Sequence, residues 1–331
     1  MRDITVRFED IDPRDPYLIA QPDFFVDLLR RKYRVTILNG GTEEPDVLFF
    51  SWFGMNNVKW TRCLRIFYSA ERGYPDFNMC DYAIGLTNIG TTERFFRLPL
   101  YVFYNDYLRK YESLPDFEDA TMLNRDFCST VVSNSIMRDP VFFDFFKRLN
   151  EYRHIASGGH WKNNVGGCVP DKLNFISKYK FNIAFENMNV ENYVTEKIFG
   201  PFVASTIPIY WGTQSVKKEV GEGSYIDVSD FDTLDRAIDY IKKVDNDDRL
   251  YLQMLRQKVQ VPYNYDEWCE HLLNFLVNAI DNGNRIFDTM MNKTYEEKLH
   301  YYGRHSGTKE KLCRVQKGIY AVRNFIKHKL S

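Results

Sequence analysis

Residues 181–212 place polar side chains where they could hold a phosphorylated ligand. An apolar run, residues 181–185, precedes a polar loop, a helical pattern that ends before Pro208, and a second apolar run that ends at Gly212. This order predicts a βαβ unit with Thr195 as the N-cap of its helix. Ligands of such units bind beyond the strand ends, where free N–H groups of the helix attract phosphate. Four side chains near this helix start suit a base, a ribose and a diphosphate: Asn187, Tyr193, Glu196 and Lys197.

The same segment, FNIAFENMNVENYVTEKIFGPFVASTIPIYWG, resembles the nucleotide-sugar motif of the α-1,3/4-fucosyltransferases, the family-10 glycosyltransferases. The likeness covers roughly residues 45 to 255 and includes further segments at 67–71, 75–85, 127–134, 157–159 and 163–167. It implies an α/β fold of the GT-B type, in which two Rossmann-like domains face a central cleft. It also implies GDP-fucose as the donor, bound by the second domain, and an acceptor bound by the first.

The alternation of apolar runs with helical stretches predicts mainly parallel sheets that are covered on both faces. In the first half, strands are predicted at residues 4–8, 35–38, 47–51, 64–68 and 82–86, with a helix over 24–32. In the second half, strands are predicted at 127–133, 181–185, 207–211 and 225–228, with helices over 142–150 and 172–179 and from Thr233, Arg249 and Asp266.

A stretch rich in acids, residues 110–125, contains Pro115 and is interpreted as the linker between the two halves. We therefore predict three parts of the chain. Residues 1–120 form an acceptor-side domain, residues 121–285 a donor-binding domain, and residues 286–331 a helical C-terminal tail.

A departing diphosphate must be stabilised by positive charge from a metal or from side chains. Three Asp-x-Asp pairs could hold a metal: residues 10–12, 230–232 and 245–247. Each also fits a turn, a helix cap or a break after a helix, so we expect no metal and no other cofactor. Lys197 and Arg138 are the predicted cations. A lysine in a first helical turn opposes the helix dipole, which suggests a bound anion, and the position of Arg138 resembles that of the family's phosphate-binding arginine.

The resemblance also assigns donor contacts. It makes Glu196 a ribose ligand, although an acid is favourable in any first helical turn. Asn187 and Tyr193 become nucleotide contacts, although each could instead satisfy the backbone of its own loop.

Glu71 is the candidate general base, because a carboxylate that follows a strand at a cleft can have its pKa tuned. The family usually has Gly-Glu-Asn where this chain has Ala70-Glu71-Arg72. Arg72 could therefore pair with Glu71 and lower its basicity. Trp52 and Arg72 are the acceptor-side candidates, and Trp52 could either stack on a sugar ring or pack in the core.

The composition and the absence of other motifs narrow the range of possible functions. A chain of 331 residues with 44% hydrophobic residues and a net charge of −1 predicts a folded protein. No apolar run reaches 18 residues, and the N-terminus lacks the apolar segment of a signal peptide, so we expect a cytoplasmic protein. The six scattered cysteines are predicted to be buried thiols. Without a G-x-G-x-x-G or P-loop motif, a nicotinamide enzyme or a kinase is not expected.

The C-terminal segment, residues 308–331, contains seven Lys/Arg and one acid. Its apolar residues fall on one helical face: Leu312, Val315, Ile319, Val322 and Ile326. A basic amphipathic helix of this kind is typical of an anionic membrane surface. The alternative is a helix that packs on the first domain. No nucleic-acid partner is expected, and the sequence does not indicate an oligomeric state.

The resemblance implies inverting transfer of L-fucose from GDP-fucose, in α-1,3 linkage, to GlcNAc or Glc of a β-galactosyl glycan such as N-acetyllactosamine. Such transfer belongs to the synthesis of Lewis-type glycans. One alternative is an α-1,4 or mixed α-1,3/1,4 transferase. The other is a glycan-binding protein with a decayed site, which only Ala70 and Arg72 suggest.

Overall fold

Parallel strands form two sheets in the computed structural model, which describes residues 1–11, 21–70, 73–87, 89–90, 93–134 and 138–283. The strands of the first sheet are β1 (Arg2–Glu9), β2 (Tyr33–Ile37), β3 (Val47–Phe50), β4 (Leu64–Ser69), β5 (Tyr82–Gly85) and β6 (Phe95–Arg97). Their order is β2-β1-β3-β4-β5-β6, and every pairing is parallel. The five strands predicted for this half are confirmed. The strand missed by the sequence analysis, β6, has only three residues.

The second sheet contains β7 (Asp126–Thr130), β8 (Ile155–Ser157), β9 (Tyr179–Phe185), β10 (Ile207–Trp211) and β11 (Ile226–Asp227). Its order is β11-β10-β9-β7-β8, again with parallel pairing throughout. The chain leaves β7 towards β8 and then crosses to the other side of β7 to form β9. The loops that follow β7 and β9 therefore diverge at the carboxyl end of the sheet, which is where open α/β sheets bind ligands.

Short helices connect the strands of the first half and join the two sheets. They are α1 (Gln21–Leu29), α2 (Leu100–Phe103), α3 (Tyr107–Glu112) and α4 (Asp119–Leu123). The segment interpreted as a linker, residues 110–125, thus contains the end of α3 and all of α4, so only its middle lacks helix.

The helices of the second half are α5 (Pro140–Tyr152), α6 (Lys172–Ile176), α7 (Glu196–Val203), α8 (Val216–Val220), α9 (Leu234–Asp245), α10 (Asp248–Arg256) and α11 (Tyr265–Asn282). Single 3₁₀ turns lie at Asn56–Lys59, Tyr104–Asp106 and Val228–Asp230. The helix predicted over residues 172–179 ends at Ile176 because β9 already begins at Tyr179. No helix in the described part of the chain is long and apolar enough to cross a bilayer.

One hydrophobic core crosses from the first sheet to helices that come later in the chain. It joins β1 residues such as Ile4 to Ile198 and Phe199 of α7 and to Leu272 of α11. The rings of Tyr101 in α2 and Phe199 stack with their centroids 4.2 Å apart. Because burial of apolar area is the main stabilising term in folding, this shared core fixes α7 relative to the first sheet.

Helix α11 follows the second sheet in the chain but packs against the first. Arg31, just after α1, pairs with Glu270 at 3.0 Å, and the rings of Phe96 in β6 and Trp268 lie edge to face with their centroids 6.3 Å apart. The predicted boundaries at residues 120 and 285 stay predictions. The packing nevertheless shows that residues 265–282 complete the core of the first half.

Candidate functional site

The start of α7 is bonded to the end of β9 through a buried carboxylate. Glu186, which directly follows β9 and is 1% exposed, accepts hydrogen bonds from Thr195 N at 2.8 Å and from Thr195 Oγ1 at 2.8 Å. Thr195 is the N-cap of α7, and its Oγ1 in turn accepts from Lys197 N at 3.4 Å. The predicted cap is confirmed. The network holds the first turn of α7, with its N-terminal N–H groups, at the carboxyl edge of the sheet.

Lys197 lies between two carboxylates. Its Nζ is 3.4 Å from Glu186 Oε2 and 3.6 Å from Glu196 Oε1, and it donates to Thr195 Oγ1 at 3.1 Å. Burial alone would lower the pKa of Lys197, but the Glu196 and Glu186 carboxylates outweigh it and raise that pKa above its ordinary value. Lys197 is therefore a fixed positive charge in a largely dehydrated position.

Arg138 brings a second cation to the same place from the loop after β7. Its Nη1 donates to the carbonyl of Phe185, the last residue of β9, at 3.2 Å, and its guanidinium lies 4.7 Å from the ring centroid of Phe142. Its Nε is buried and has no hydrogen-bond partner among the described residues. Burial lowers the pKa of Arg138, and Glu186 and Glu196 only partly offset that effect. The guanidinium thus lacks a full counter-charge.

A third cation, Lys172 at the start of α6, was missed by the sequence analysis. Its Nζ lies beside α7, since a Cβ added to Gly200 would be 3.7 Å from it. Lys172 makes no hydrogen bond or ion pair with any residue that the structure describes. Burial lowers its pKa, Glu196 raises it, and Lys197 and Arg138 lower it further. Only the crossover that carries α6 back alongside α7 brings Lys172 to the site, so no local pattern could have identified it.

These side chains form what we call the cation cluster: Arg138, Lys172, Lys197, Glu186 and Glu196. It contains one more cation than carboxylate at a helix N-terminus. Burial by itself would raise the pKa of Glu196, but Lys197 and Lys172 together hold it below its ordinary value. Glu196 is therefore an ionised acceptor, and the cluster as a whole is complementary to an anion.

The two remaining donor candidates lie beside the cation cluster. The carbonyl of Asn187 accepts from Asp139 N at 3.1 Å, which ties the β7 and β9 loops together. The side-chain amide of Asn187 makes no hydrogen bond within the described part of the chain. Tyr193 is 5% exposed and close enough to Arg138 and Lys197 to affect the pKa of both. The structure thus gathers all five donor candidates at one sheet edge.

The acceptor-side candidates are only partly described. Trp52 follows β3, is 41% exposed, and packs edge to face on Phe67 with ring centroids 5.6 Å apart. A Cβ on Gly73 would lie 1.2 Å from the Trp52 ring, so glycine is required there. Glu71 and Arg72 lie outside the described residues. Trp52 therefore presents an aromatic face beside the chain that leads away from β4.

Four of the five described aspartates in the three Asp-x-Asp pairs have structural partners. Asp10 accepts from Asn56 N and Asn57 N at 2.9 and 2.7 Å, and Asp230 pairs with Lys217 at 2.7 Å. The N-cap of α9 is Thr233 rather than the preceding aspartate pair, which corrects the sequence-based interpretation. Asp245 pairs with Arg153, and Asp247 caps α10.

One cysteine departs from the prediction of buried thiols. Cys168 is exposed, and its Sγ is 3.1 Å from Nδ1 of His160. It lies in the glycine-rich loop after β8, where the backbone passes over the surface. The other cysteines in the described ranges are buried and free, as expected, and Cys313 lies outside those ranges.

Two family models match the chain. One, described as glycosyltransferase family 10 (fucosyltransferase) C-term, matches residues 123–286, and the other, the alpha-(1,3)-fucosyltransferase FucT N-terminal domain, matches residues 6–104. Alpha-(1,3)-fucosyltransferase FucT of Helicobacter pylori is 33% identical over 263 residues, which are 69% of this chain and 54% of that protein. The chain therefore spans about half the length of this curated relative.

Two further comparisons concern a plant relative and a solved structure. The alpha-(1,4)-fucosyltransferase of Arabidopsis thaliana is 40% identical over 76 residues, or 23% of this chain and 19% of that protein. A crystal structure of an α1,3-fucosyltransferase with GDP-fucose superposes with a TM-score of 0.70 at 27% identity, covering 87% of this chain and 92% of that one.

Two parallel sheets, with an anion-complementary helix start at the edge of the second, define a glycosyltransferase architecture of the GT-B type. Within that class the chain belongs to glycosyltransferase family 10, the fucosyltransferases.

The cation cluster leads to a prediction about Lys172. Replacing it with methionine removes one of two cations that keep Glu196 ionised, so the pKa of Glu196 should rise. GDP binding, measured by calorimetry, should weaken by about 1.5 to 3 kcal/mol, the range for a charged hydrogen bond. The loss of GDP binding on acidification should also begin at a higher pH in Lys172→Met than in the wild type.

Lys178, an exposed lysine two residues after α6, provides the matched control. Lys178→Met should leave both the GDP affinity and its pH profile unchanged. If Lys172→Met has the wild-type affinity for GDP and loses it over the same acidic pH range, then Lys172 does not act on the nucleotide site.

Proposed function

We propose that this protein transfers L-fucose from GDP-fucose, with inversion, in α-1,3 linkage to GlcNAc or Glc of a β-galactosyl glycan such as N-acetyllactosamine. The observation that carries the proposal is the cation cluster, with its uncompensated positive charge at the N-terminus of α7. In a family-10 chain this is where a nucleoside diphosphate fits, because its phosphates supply the missing negative charge. A related chain of solved structure is described as containing GDP-fucose.

The donor is assigned to the second sheet. Arg138 and Lys197 hold the diphosphate, and the free Nε of Arg138 is directed to a phosphate oxygen. Glu196, kept ionised by Lys197 and Lys172, accepts hydrogen bonds from the ribose hydroxyls. Asn187 and Tyr193 contact the nucleotide through the unpaired amide and the ring. As the bond to fucose breaks, the leaving GDP gains negative charge, which the fixed cations stabilise without rearrangement.

The acceptor is assigned to the first sheet. The exposed ring of Trp52 offers a sugar a stacking face, and Arg72 is a further acceptor-side candidate. The 3-hydroxyl oxygen of the acceptor attacks the anomeric carbon of fucose from the face opposite GDP. The bond between that carbon and the GDP oxygen breaks with its electron pair, and Glu71 takes the hydroxyl proton. A single displacement of this kind inverts a β-linked donor to an α-linked product.

A second candidate is α-1,4 or mixed α-1,3/1,4 transfer, which is favoured by the local match to the plant alpha-(1,4)-fucosyltransferase. Both candidates share the donor site and differ only in which acceptor hydroxyl reaches the anomeric carbon. Linkage analysis of the product distinguishes them. A glycan-binding protein with a decayed site would bind GDP or glycan and release no GDP from GDP-fucose.

The proposed activity is tested by the release of GDP from GDP-fucose with and without N-acetyllactosamine. Glu71→Gln should lower kcat by about a hundredfold or more, because the amide keeps the shape of the carboxylate but cannot take the proton. The affinity for GDP-fucose should stay nearly unchanged. Glu43→Gln, which alters an exposed acid after β2, is the control and should behave like the wild type. A Glu71→Gln enzyme that keeps most of its turnover would exclude Glu71 as the base.

We also propose that the transfer requires no divalent metal, because side-chain cations already supply charge to the diphosphate. Turnover should then persist largely intact in EDTA. Lys197→Ala should weaken GDP binding by about 1.5 to 3 kcal/mol, with melting temperature measured alongside to detect unfolding. Lys218→Ala, an exposed lysine of α8, is the control. Activity that vanishes in EDTA and returns with manganese would contradict this proposal.

The basic tail, residues 308–331, lies outside the described residues, and its role as a membrane-surface helix on the inner face of the membrane stays a proposal from the sequence. Truncation at residue 307 should abolish binding to vesicles that contain anionic lipid, while turnover on soluble acceptors continues. Vesicles of neutral lipid are the control. Unchanged binding to anionic vesicles, or an unfolded truncation, would contradict an interfacial role.

A further inference from the structure

Arg97, the last residue of β6, extends from the first sheet to the donor loop of the second. Its Nε donates to the carbonyl of Leu86 at 3.1 Å, just beyond the end of β5. Its Nη2 donates to the carbonyl of Asn192 at 3.2 Å, and its Nη1 pairs with Glu219 Oε1 of α8 at 2.7 Å. One guanidinium therefore joins the edge of the first sheet to two elements that surround the donor site.

Both carboxylate oxygens of Glu219 contact residues of the first half. Oε1 faces Arg97, and Oε2 accepts from the hydroxyl of Tyr101 at 2.5 Å. The side chains of Glu219 and Arg97 are only 8% and 16% exposed, so the pair is shielded from solvent. Burial and the neighbouring Glu219 carboxylate raise the pKa of Tyr101 well above its usual value, which keeps its hydroxyl a donor at physiological pH.

Asn192 lies between Glu186 and Thr195, the two residues whose hydrogen bonds position the start of α7. Its φ of 60° is in the left-handed region, which asparagine adopts more readily than most residues other than glycine. Its N–H donates to Ser215 Oγ at 3.1 Å, directly before α8, and its carbonyl accepts from Arg97. Both backbone groups of Asn192 are thus hydrogen-bonded, the N–H to a residue of the second half and the carbonyl to a residue of the first sheet.

We propose that Arg97 is a positioning residue that fixes the donor loop, residues 187–195, in its nucleotide-binding conformation from across the domain junction. The inference rests on the proposed function. Loss of the guanidinium leaves the Asn192 carbonyl without this donor and the shielded Glu219 charge without its cation. The loop then samples other conformations, and only the fraction in the competent one binds the donor. Donor affinity in this protein therefore depends on a residue of the acceptor-side sheet.

The test compares Arg97→Gln with Arg94→Gln by calorimetry with GDP and by steady-state kinetics. Arg94 is a matched control in the same segment, because its guanidinium donates to the carbonyls of Asp81 and Cys80 within the first half. Arg97→Gln should raise the Kd for GDP and the KM for GDP-fucose by about tenfold or more. Arg94→Gln should leave both within about twofold, even where it lowers the melting temperature equally.

A double-mutant cycle separates positioning from general destabilisation. Arg97→Gln and Ser215→Ala remove the two side-chain hydrogen bonds to the backbone of Asn192, so their effects on GDP affinity should be non-additive. The effects of Arg94→Gln and Ser215→Ala should be additive. Glu219→Gln preserves the shape of the side chain and the hydrogen bond from Tyr101, and it should weaken GDP binding by a few-fold. This variant replaces Arg97→Gln in the test if Arg97→Gln does not fold. Wild-type affinity in Arg97→Gln, or in Glu219→Gln if the former is unfolded, would overturn the inference while leaving the proposed function intact. A wild-type protein that does not bind GDP would contradict the proposed function itself.

Discussion

The hydrogen bonds between the buried Glu186 carboxylate and Thr195 are the interaction on which the donor site depends. They connect the residue that follows β9 directly to the N-cap of α7. A carboxylate shielded in this way is costly unless all its lone pairs are used, and here it accepts from a backbone N–H and a hydroxyl and faces an ammonium. The same bonds therefore stabilise the helix start and fix Lys197 and Glu196 at its tip.

The cation cluster contains unequal numbers of positive and negative side chains. Both carboxylates pair with Lys197, whereas Lys172 makes no ion pair and Arg138 Nε has no hydrogen-bond partner within the described residues. Under the proposed function, an arriving diphosphate meets cations that are already in place, which is the arrangement that favours stabilisation of a leaving group.

The two sheets do not act as separate units. Helix α7 carries the donor-site candidates Glu196 and Lys197 on its first turn and buries its apolar face, including Phe199, against Tyr101 and the core of the first half. Helix α11 completes that core from the end of the described chain, and Arg97 bonds the first sheet to the donor loop. The first turn of α7 and the loop before it are therefore both in contact with residues of the first half.

The amino-acid sequence by itself determined the two parallel sheets, because buried parallel strands appear as continuous apolar runs between helices. It also determined the N-cap Thr195 and the donor candidates around it, since residues 181–212 are contiguous and their spacing is local. Family membership followed from that motif as well. Three features were decided only by tertiary structure. Lys172 reaches the site through a crossover, Arg97 reaches Asn192 across 95 residues of chain, and Cys168 is exposed by the course of its loop. The first two depend on contacts between segments that are distant in sequence, and the third depends on the path of a loop over the surface. No local pattern encodes either.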